Sequence, residues 1–112
     1  TTAEVQADRL GSVAALEERY GGVIVLKGAG SIVSGAPPRV CPYGNPGMAV
    51  GGMGDVLTGV IAGLWAQGHD AGVAASLGVL AHALAGDSAA AGGERGLLPS
   101  DLLAELRGVV NP

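Results

Sequence analysis

The sequence predicts an α/β fold that forms one part of a larger domain, and three observations carry that expectation. The hydrophobic period switches from helical to continuous at "VIVLKG", residues 23–28, as expected for a helix followed by a buried strand. The elements that follow are two or three short strands and then three helices, too few strands for a self-sufficient sheet. Finally, the chain is 48% hydrophobic and only 14% charged, which leaves too few solvating groups for the helices it predicts and implies contact with the rest of a domain or with other chains.

Taken in order, residues 3–20 place Leu10, Val13, Leu16 and Tyr20 at helical spacing, and Gly21-Gly22 ends the helix. "VIVLKG" is rich in β-branched residues without alternation, as in a strand covered on both faces. "SIVSG" after the "GAG" turn and "RVCPYG" after Pro37-Pro38 predict a second and a third strand. Residues 55–67 are apolar nearly all round, which predicts a buried helix with Gly59 and Gly63 on one face, open to close approach by another element. Residues 71–91 predict a further helix capped by Asp70, with Val73, Leu77, Leu80 and Leu84 as its apolar positions. Ser100 is expected to cap the last helix, which carries Leu102, Leu103, Leu106 and Val110, with Asp101 in its first turn.

Composition narrows the function. With a net charge of −4 and six basic residues spread singly, no cationic patch can neutralise a phosphate backbone, so nucleic acid is excluded as a partner. The single cysteine, Cys41, has no internal disulfide partner and reads as a small buried side chain; a cytoplasmic location is expected. The charge-free runs between Arg39, Asp55, Asp70 and Asp87 fall short of the roughly 18 to 20 residues of a membrane span. The start "TTAEVQADRL" is too polar for a signal peptide. Neither membrane nor export is expected. Phe is absent, so Val, Leu, Ile and Ala must fill the core, and 21 glycines allow backbones to approach closely.

The chemistry concentrates in "NPGMAVGGMGDVLTG", residues 45–59. A glycine-rich turn that enters a helix exposes unpaired backbone N–H groups, and with the helix dipole these attract an anion. Gly54 lets a phosphate approach without a Cβ in the way. No lysine follows as a P-loop requires, and GxGxxG fails at both Gly28 and Gly52. Asp55 has two readings at this point: the N-cap of the helix, or a carboxylate poised beside a bound phosphate. Lys27 is the only lysine in the chain and stands at a strand end, followed by the "GAGS" turn. In open α/β sheets ligands gather beyond the carboxyl ends of strands, so Lys27, Gly28, Ala29, Gly30, Ser31 and the Gly51–Asp55 turn can face one crevice. That set suits a nucleotide, with the carboxylate placed to take a proton from a hydroxyl attacking a phosphoryl group.

From about Val23 onward, "VLKGAGS", "CPYGNPGMAVGGMGDVLTGVIAGL" and "GGERGLLPSDLL" resemble the carboxyl-terminal part of the ADP- or ATP-dependent NAD(P)H-hydrate dehydratases, a branch of the ribokinase-like superfamily. The resemblance implies that residues 1–112 are the carboxyl-terminal portion of a ribokinase-like three-layer α/β/α domain whose amino-terminal half lies outside this sequence. It implies a metabolite-repair enzyme that returns hydrated NADH or NADPH, NAD(P)HX, to the normal cofactor by phosphorylating the hydroxyl and eliminating phosphate.

Position by position, it makes Asp55 the base that contacts the substrate hydroxyl and Gly54 a backbone contact to the adenine nucleotide. Lys27, Gly28, Ala29, Gly30 and Ser31 line the nucleotide site, with Asn45 in the nucleotide or phosphate surroundings. ADP or ATP and Mg²⁺ are the implied cofactors; no compact ligand cluster is visible, so phosphates and water would hold the metal. A homo-oligomer, or association with the rest of the domain, is expected. Two alternatives remain at this point: a small-molecule kinase of the same superfamily, acting on a carbohydrate or vitamin precursor, and an inactive structural fragment. Elsewhere, His82 reads as a packed histidine, His69 as part of a turn, Met48 and Met53 as gap-filling side chains, and Arg95 as a loop residue that reaches either phosphate or solvent.

Overall fold

The helix predicted over residues 3–20 is split in two at Asp8. In the computed structural model, which describes residues 1–112, α1 spans Thr2–Ala7 and α2 spans Arg9–Tyr20. Asp8 leaves helical geometry at φ −146°, ψ 80° and its Oδ1 accepts the Gly11 N–H at 2.9 Å, a local bond that competes with helix continuation and restarts the helix at Arg9. Of the apolar positions predicted on this segment only Val13 is buried; Leu10, Leu16 and Tyr20 are exposed.

The strands are β1 (Val25–Leu26), β2 (Ile32–Val33) and β3 (Arg39–Val40), in sheet order β1-β2-β3 and antiparallel throughout. Val25 faces Val33 and Leu26 faces Ile32; Ile32 then faces Val40 and Val33 faces Arg39. The expected central strand at "VIVLKG" is thus a half-buried one of two residues, and the fully buried strand is β2. The cause is the turn after Leu26, where Gly28 and Gly30 take positive φ of 140° and 69° and fold the chain straight back on itself.

A 3-10 turn at Pro46–Met48 precedes α3 (Met53–Ala66), α4 (Ala71–Ala89) and α5 (Pro99–Val109). α4 is central, packed against α3 on one side and α5 on the other. It buries its small residues, among them Ala74, Ala75, Gly78, Ala85 and Gly86, while the predicted core positions Leu77 and Leu80 are exposed. The reason is distance: a Cβ on Gly78 would lie 2.5 Å from Ile61 Cγ1 and 3.2 Å from Ile61 Cα, so α3 and α4 approach too closely for leucine between them. Gly59 and Gly63 meet nothing within 4 Å, so the close approach expected at that face is not made within the chain.

Asp70 caps α4 as predicted, its Oδ1 accepting the Val73 N–H at 3.0 Å. Ser100 does not cap α5. The helix begins at Pro99, and Asp101 Oδ2 accepts the Leu98 N–H at 2.8 Å. Leu102 is buried and Leu106 packs nearby, whereas Leu103 and Val110 are exposed.

Two apolar clusters hold these layers. Val33, Leu57, Ala75 and Val79 join the sheet to α3 and α4; Met53, Ala85, Leu97 and Leu102 join the start of α3 to α4 and α5. The segment Ala71–Gly92 is long and apolar enough, by length and composition, to cross a membrane, contrary to the expectation from charge-free runs, which stopped at Asp87. Half of its 18-residue apolar window is buried inside the chain, as for a core helix.

Candidate functional site

A cleft of about 690 Å³ opens between the 27–31 turn, the 41–50 segment, the start of α3 and the inner face of α4. Lys27, Gly28, Ala29, Gly30, Ser31, Asn45 and Gly54 all line it, so the two glycine turns singled out in the sequence meet in space. Asp55 does not line the cleft; it is exposed on the α3 turn next to Gly54.

The N-cap of α3 is Gly52, at φ 96°, and it offers no side-chain cap. Asp55 is therefore the third residue of the helix, and the N-cap reading of its carboxylate is overturned. No acceptor within the chain takes the N–H of Gly54 or of Asp55; the first N–H to close a full helical turn is that of Val56, on Gly52 O at 3.1 Å. These unpaired donors carry the positive end of the helix dipole. Lys27 brings its ammonium to the same place: a Cβ on Gly54 would collide with Lys27 Nζ. The only ion pair in the chain is at the amino terminus, between Thr1 and Glu4, so neither Lys27 nor Asp55 has a salt-bridge partner.

His82, read in the sequence as a packed residue, is buried on α4 and reaches Met53 O with Nε2 at 3.0 Å. The carbonyl is an acceptor, so the proton resides on Nε2. Burial lowers the imidazole pKa below its ordinary value of 6.5, and the Lys27 charge lowers it further, while the bond to Met53 acts in the opposite direction. A neutral His82 thus pins the first turn of α3.

Asn45 lines the cleft and is also bonded within the chain. Its Nδ2 donates to Gly86 O at 3.1 Å and Asp87 Oδ1 at 2.9 Å, and its Oδ1 accepts the Gly47 N–H at 3.1 Å. Asp87 Oδ2 also takes the Gly44 N–H at 3.1 Å. With both amide hydrogens engaged, Asn45 fastens the 44–48 turn to α4 and fixes this part of the cleft wall. Arg95 and His69 are exposed and do not line the cleft.

No three His, Cys, Asp or Glu side chains converge anywhere in the chain. An Mg²⁺ that accompanies ADP or ATP would therefore be held by phosphate oxygens and water, as expected, and not by a cluster of protein ligands.

The family model described as NAD(P)H-hydrate dehydratase matches residues 1–107. The chain belongs to this family. It is 53% identical over 112 residues to the bifunctional NAD(P)H-hydrate repair enzyme Nnr of Coxiella burnetii, covering 97% of this chain and 23% of that protein. Its identity to the Escherichia coli enzyme of the same name is 47%, covering 100% of this chain and 22% of that protein. Among solved structures, the ADP/ATP-dependent NAD(P)H-hydrate dehydratase of Bacillus subtilis co-crystallised with ATP/Mg²⁺ superposes with a TM-score of 0.90 at 28% identity, covering 97% of this chain and 40% of that one. The chain therefore spans about a quarter of the curated relatives it matches and two fifths of the solved one. The α/β fold expected of a ribokinase-like dehydratase portion is the fold observed.

Two residues that shape this cleft in the dehydratase-family chain escaped the sequence reading. One is His82, whose bond to Met53 joins positions 29 apart. The other is Arg9, whose guanidinium donates to Ala29 O at 2.6 Å and Gly30 O at 3.1 Å across some twenty residues. Neither carries a local signal; the one available hint was an arginine directly after a capping Asp8.

Proposed function

We propose that this chain supplies the phosphate-binding and proton-abstracting part of a nucleotide-dependent NAD(P)H-hydrate dehydratase, returning NAD(P)HX to NAD(P)H. The observation that carries this reading is the meeting of the Lys27 ammonium with the unpartnered N–H groups of Gly54 and Asp55 at the edge of one cleft. ADP or ATP supplies, when bound, the phosphoryl group that converts the hydroxyl of the hydrate into a better leaving group. Lys27 and the α3 N–H groups hold phosphate oxygens and meet the negative charge that grows on them. Gly28, Ala29, Gly30 and Ser31 form the opposing wall of the nucleotide site. Asp55, exposed and free of any ion pair within the chain, accepts the proton of the substrate hydroxyl. Asn45 keeps the cleft wall in place rather than touching phosphate.

Exposed apolar side chains, Trp65 at 60% and Leu103 at 57% among them, together with the open Gly59–Gly63 face, support association with the rest of the domain or with a second copy. The half-buried, unpaired Cys41 supports a cytoplasmic setting.

The test is recovery of NADPH absorbance from purified hydrate with ADP or ATP and Mg²⁺. It is run on this chain and on a chimera in which the chain replaces the matching segment of the Coxiella burnetii protein. Turnover by the chimera that disappears with Asp55→Asn is the expected result. A chimera that folds and binds nucleotide but never regenerates NADPH overturns the reading, and a stable phosphorylated product from a simple alcohol favours the kinase.

A further inference from the structure

We propose that Arg9 is the positioning residue of the nucleotide site: it occupies the carbonyl groups of the 26–30 turn and so leaves the N–H groups of that turn, with Lys27, for phosphate. This rests on the nucleotide-site reading above and adds a residue to it.

The hydrogen-bond inventory of the turn is one-sided. Arg9 Nη1 donates to Ala29 O at 2.6 Å and to Gly30 O at 3.1 Å, while Nη2 reaches Leu26 O and Lys27 O at 3.5 Å each. The remaining carbonyl, Gly28 O, accepts from Ser31 Oγ at 3.2 Å. Every carbonyl from residue 26 to 30 thus has a donor. By contrast, no group in the chain accepts from the N–H of Gly28, Ala29, Gly30 or Ser31; Ser31 uses its own carbonyl for the Cys41 N–H at 2.8 Å. A turn with its acceptors covered and its donors unspent presents a positive edge, and this one lines the cleft.

The guanidinium is shaped for this task and fits nothing else nearby. Its four Nη hydrogens match four carbonyls, and its Nε is buried without a partner. The fork is therefore set by the turn and not by any carboxylate. Gly28 makes room for it, since a Cβ there would stand 3.2 Å from Nη2. Arg9 itself does not line the cleft, so it acts through the turn. Lysine cannot replace it, because one ammonium nitrogen cannot span carbonyls arranged around a planar fork.

The experiment compares wild type and Arg9→Lys in the full chain by titration calorimetry with ADP and ATP, with unliganded thermal unfolding as the control. In the chimera it adds separate KM values for nucleotide and hydrate. The expected result is a folded Arg9→Lys protein whose nucleotide affinity and nucleotide KM worsen by about tenfold or more, with KM for the hydrate unchanged. Unaltered nucleotide affinity in folded Arg9→Lys overturns the role of Arg9 while leaving the functional reading standing. A wild type that binds neither nucleotide overturns both. If Arg9→Lys does not fold, amide hydrogen exchange on wild type decides: ADP should slow exchange at Gly28, Ala29, Gly30 and Ser31, and unchanged exchange there refutes the proposal.

Discussion

Gly54→Ala is expected to raise the stability of the free protein and to impair its nucleotide site. Gly54 lies in the first turn of α3 and has no positive φ, so alanine fits the backbone and brings up to about 1 kcal/mol of helix propensity. Its Cβ would collide with Lys27 Nζ, but the next atoms, Lys27 Cε at 3.5 Å and Cδ at 3.8 Å, are at ordinary contact distance. Only the ammonium has to move. Lys27 is exposed and without an ion pair, so the move costs little, and the free protein should melt a few degrees higher, about 4 °C for 1 kcal/mol at this chain length.

With nucleotide the order reverses. A displaced ammonium forfeits a charged hydrogen bond to phosphate, about 1.5–3 kcal/mol, or a ten- to hundredfold weaker Kd. At a nucleotide concentration about a hundred times the wild-type Kd, wild type gains about 2.7 kcal/mol, whereas a variant about fiftyfold weaker gains only about 0.6 kcal/mol. Thermal unfolding of both proteins, with and without saturating ADP, reads the crossing directly. Equal stabilisation of the two by ADP refutes the assignment of Lys27 and Gly54 to one phosphate site. A free variant less stable than wild type refutes the mobility ascribed to the ammonium.

Three further outcomes follow from the same geometry. Asp55→Asn should lower chimera turnover by about 10²–10⁴-fold, as for loss of a general base, with ADP affinity measured by calorimetry nearly retained; undiminished turnover removes Asp55 from the mechanism. Asp87→Ala takes away the acceptor for Gly44 N–H and Asn45 Nδ2 and should cost about 1–3 kcal/mol in urea unfolding, with no loss at all contradicting the latch. The lowered pKa of His82, due first to burial and then to Lys27, fixes the sign of a pH effect. Above 6.5 His82 is neutral in both states, and below it the unfolded chain takes up the proton first. Stability should therefore be full above 6.5 and fall as pH drops toward the folded-state pKa; Tm followed from pH 7.5 downward, in wild type and His82→Gln, checks that the substitution removes this component.

The parts of the fold and site that were legible in the sequence rest on local chemistry. The Asp70 cap, the glycine turn at residues 28–30 and the glycine entry to α3 each follow from a residue and its immediate neighbours. The misreadings have one origin, which is that a neighbour in space decides what a sequence pattern leaves degenerate. α4 is apolar on every side, so periodicity could not choose its buried face, and the closeness of Ile61 to Gly78 chose the small residues over Leu77 and Leu80. The break at Asp8 depended on a side chain preferring Gly11 N–H to the helix, a choice open to any Asp at that spacing. His82 and Arg9 make their bonds, and Asn45 its amide N–H bonds, to residues 17 to 42 positions away, beyond the reach of any window along the chain.

The small-residue packing that obscured the helix faces is also what makes the site rigid. Met53 carries two attachments: its carbonyl accepts from His82 and its side chain is buried with Ala85, Leu97 and Leu102. One helix turn later Leu57 is locked against Val33 and Val79. The turn between them, which presents the free N–H groups of Gly54 and Asp55, is therefore fixed at both ends by α4, and α4 can reach both only because Gly78 lets it lie against Ile61. Facing it, Arg9 holds the 26–30 turn from the other side of the cleft. Two backbone turns fixed by separate elements are preorganised, so under the proposed function a phosphate between them would meet donors already in place and little ordering cost would be left to oppose binding.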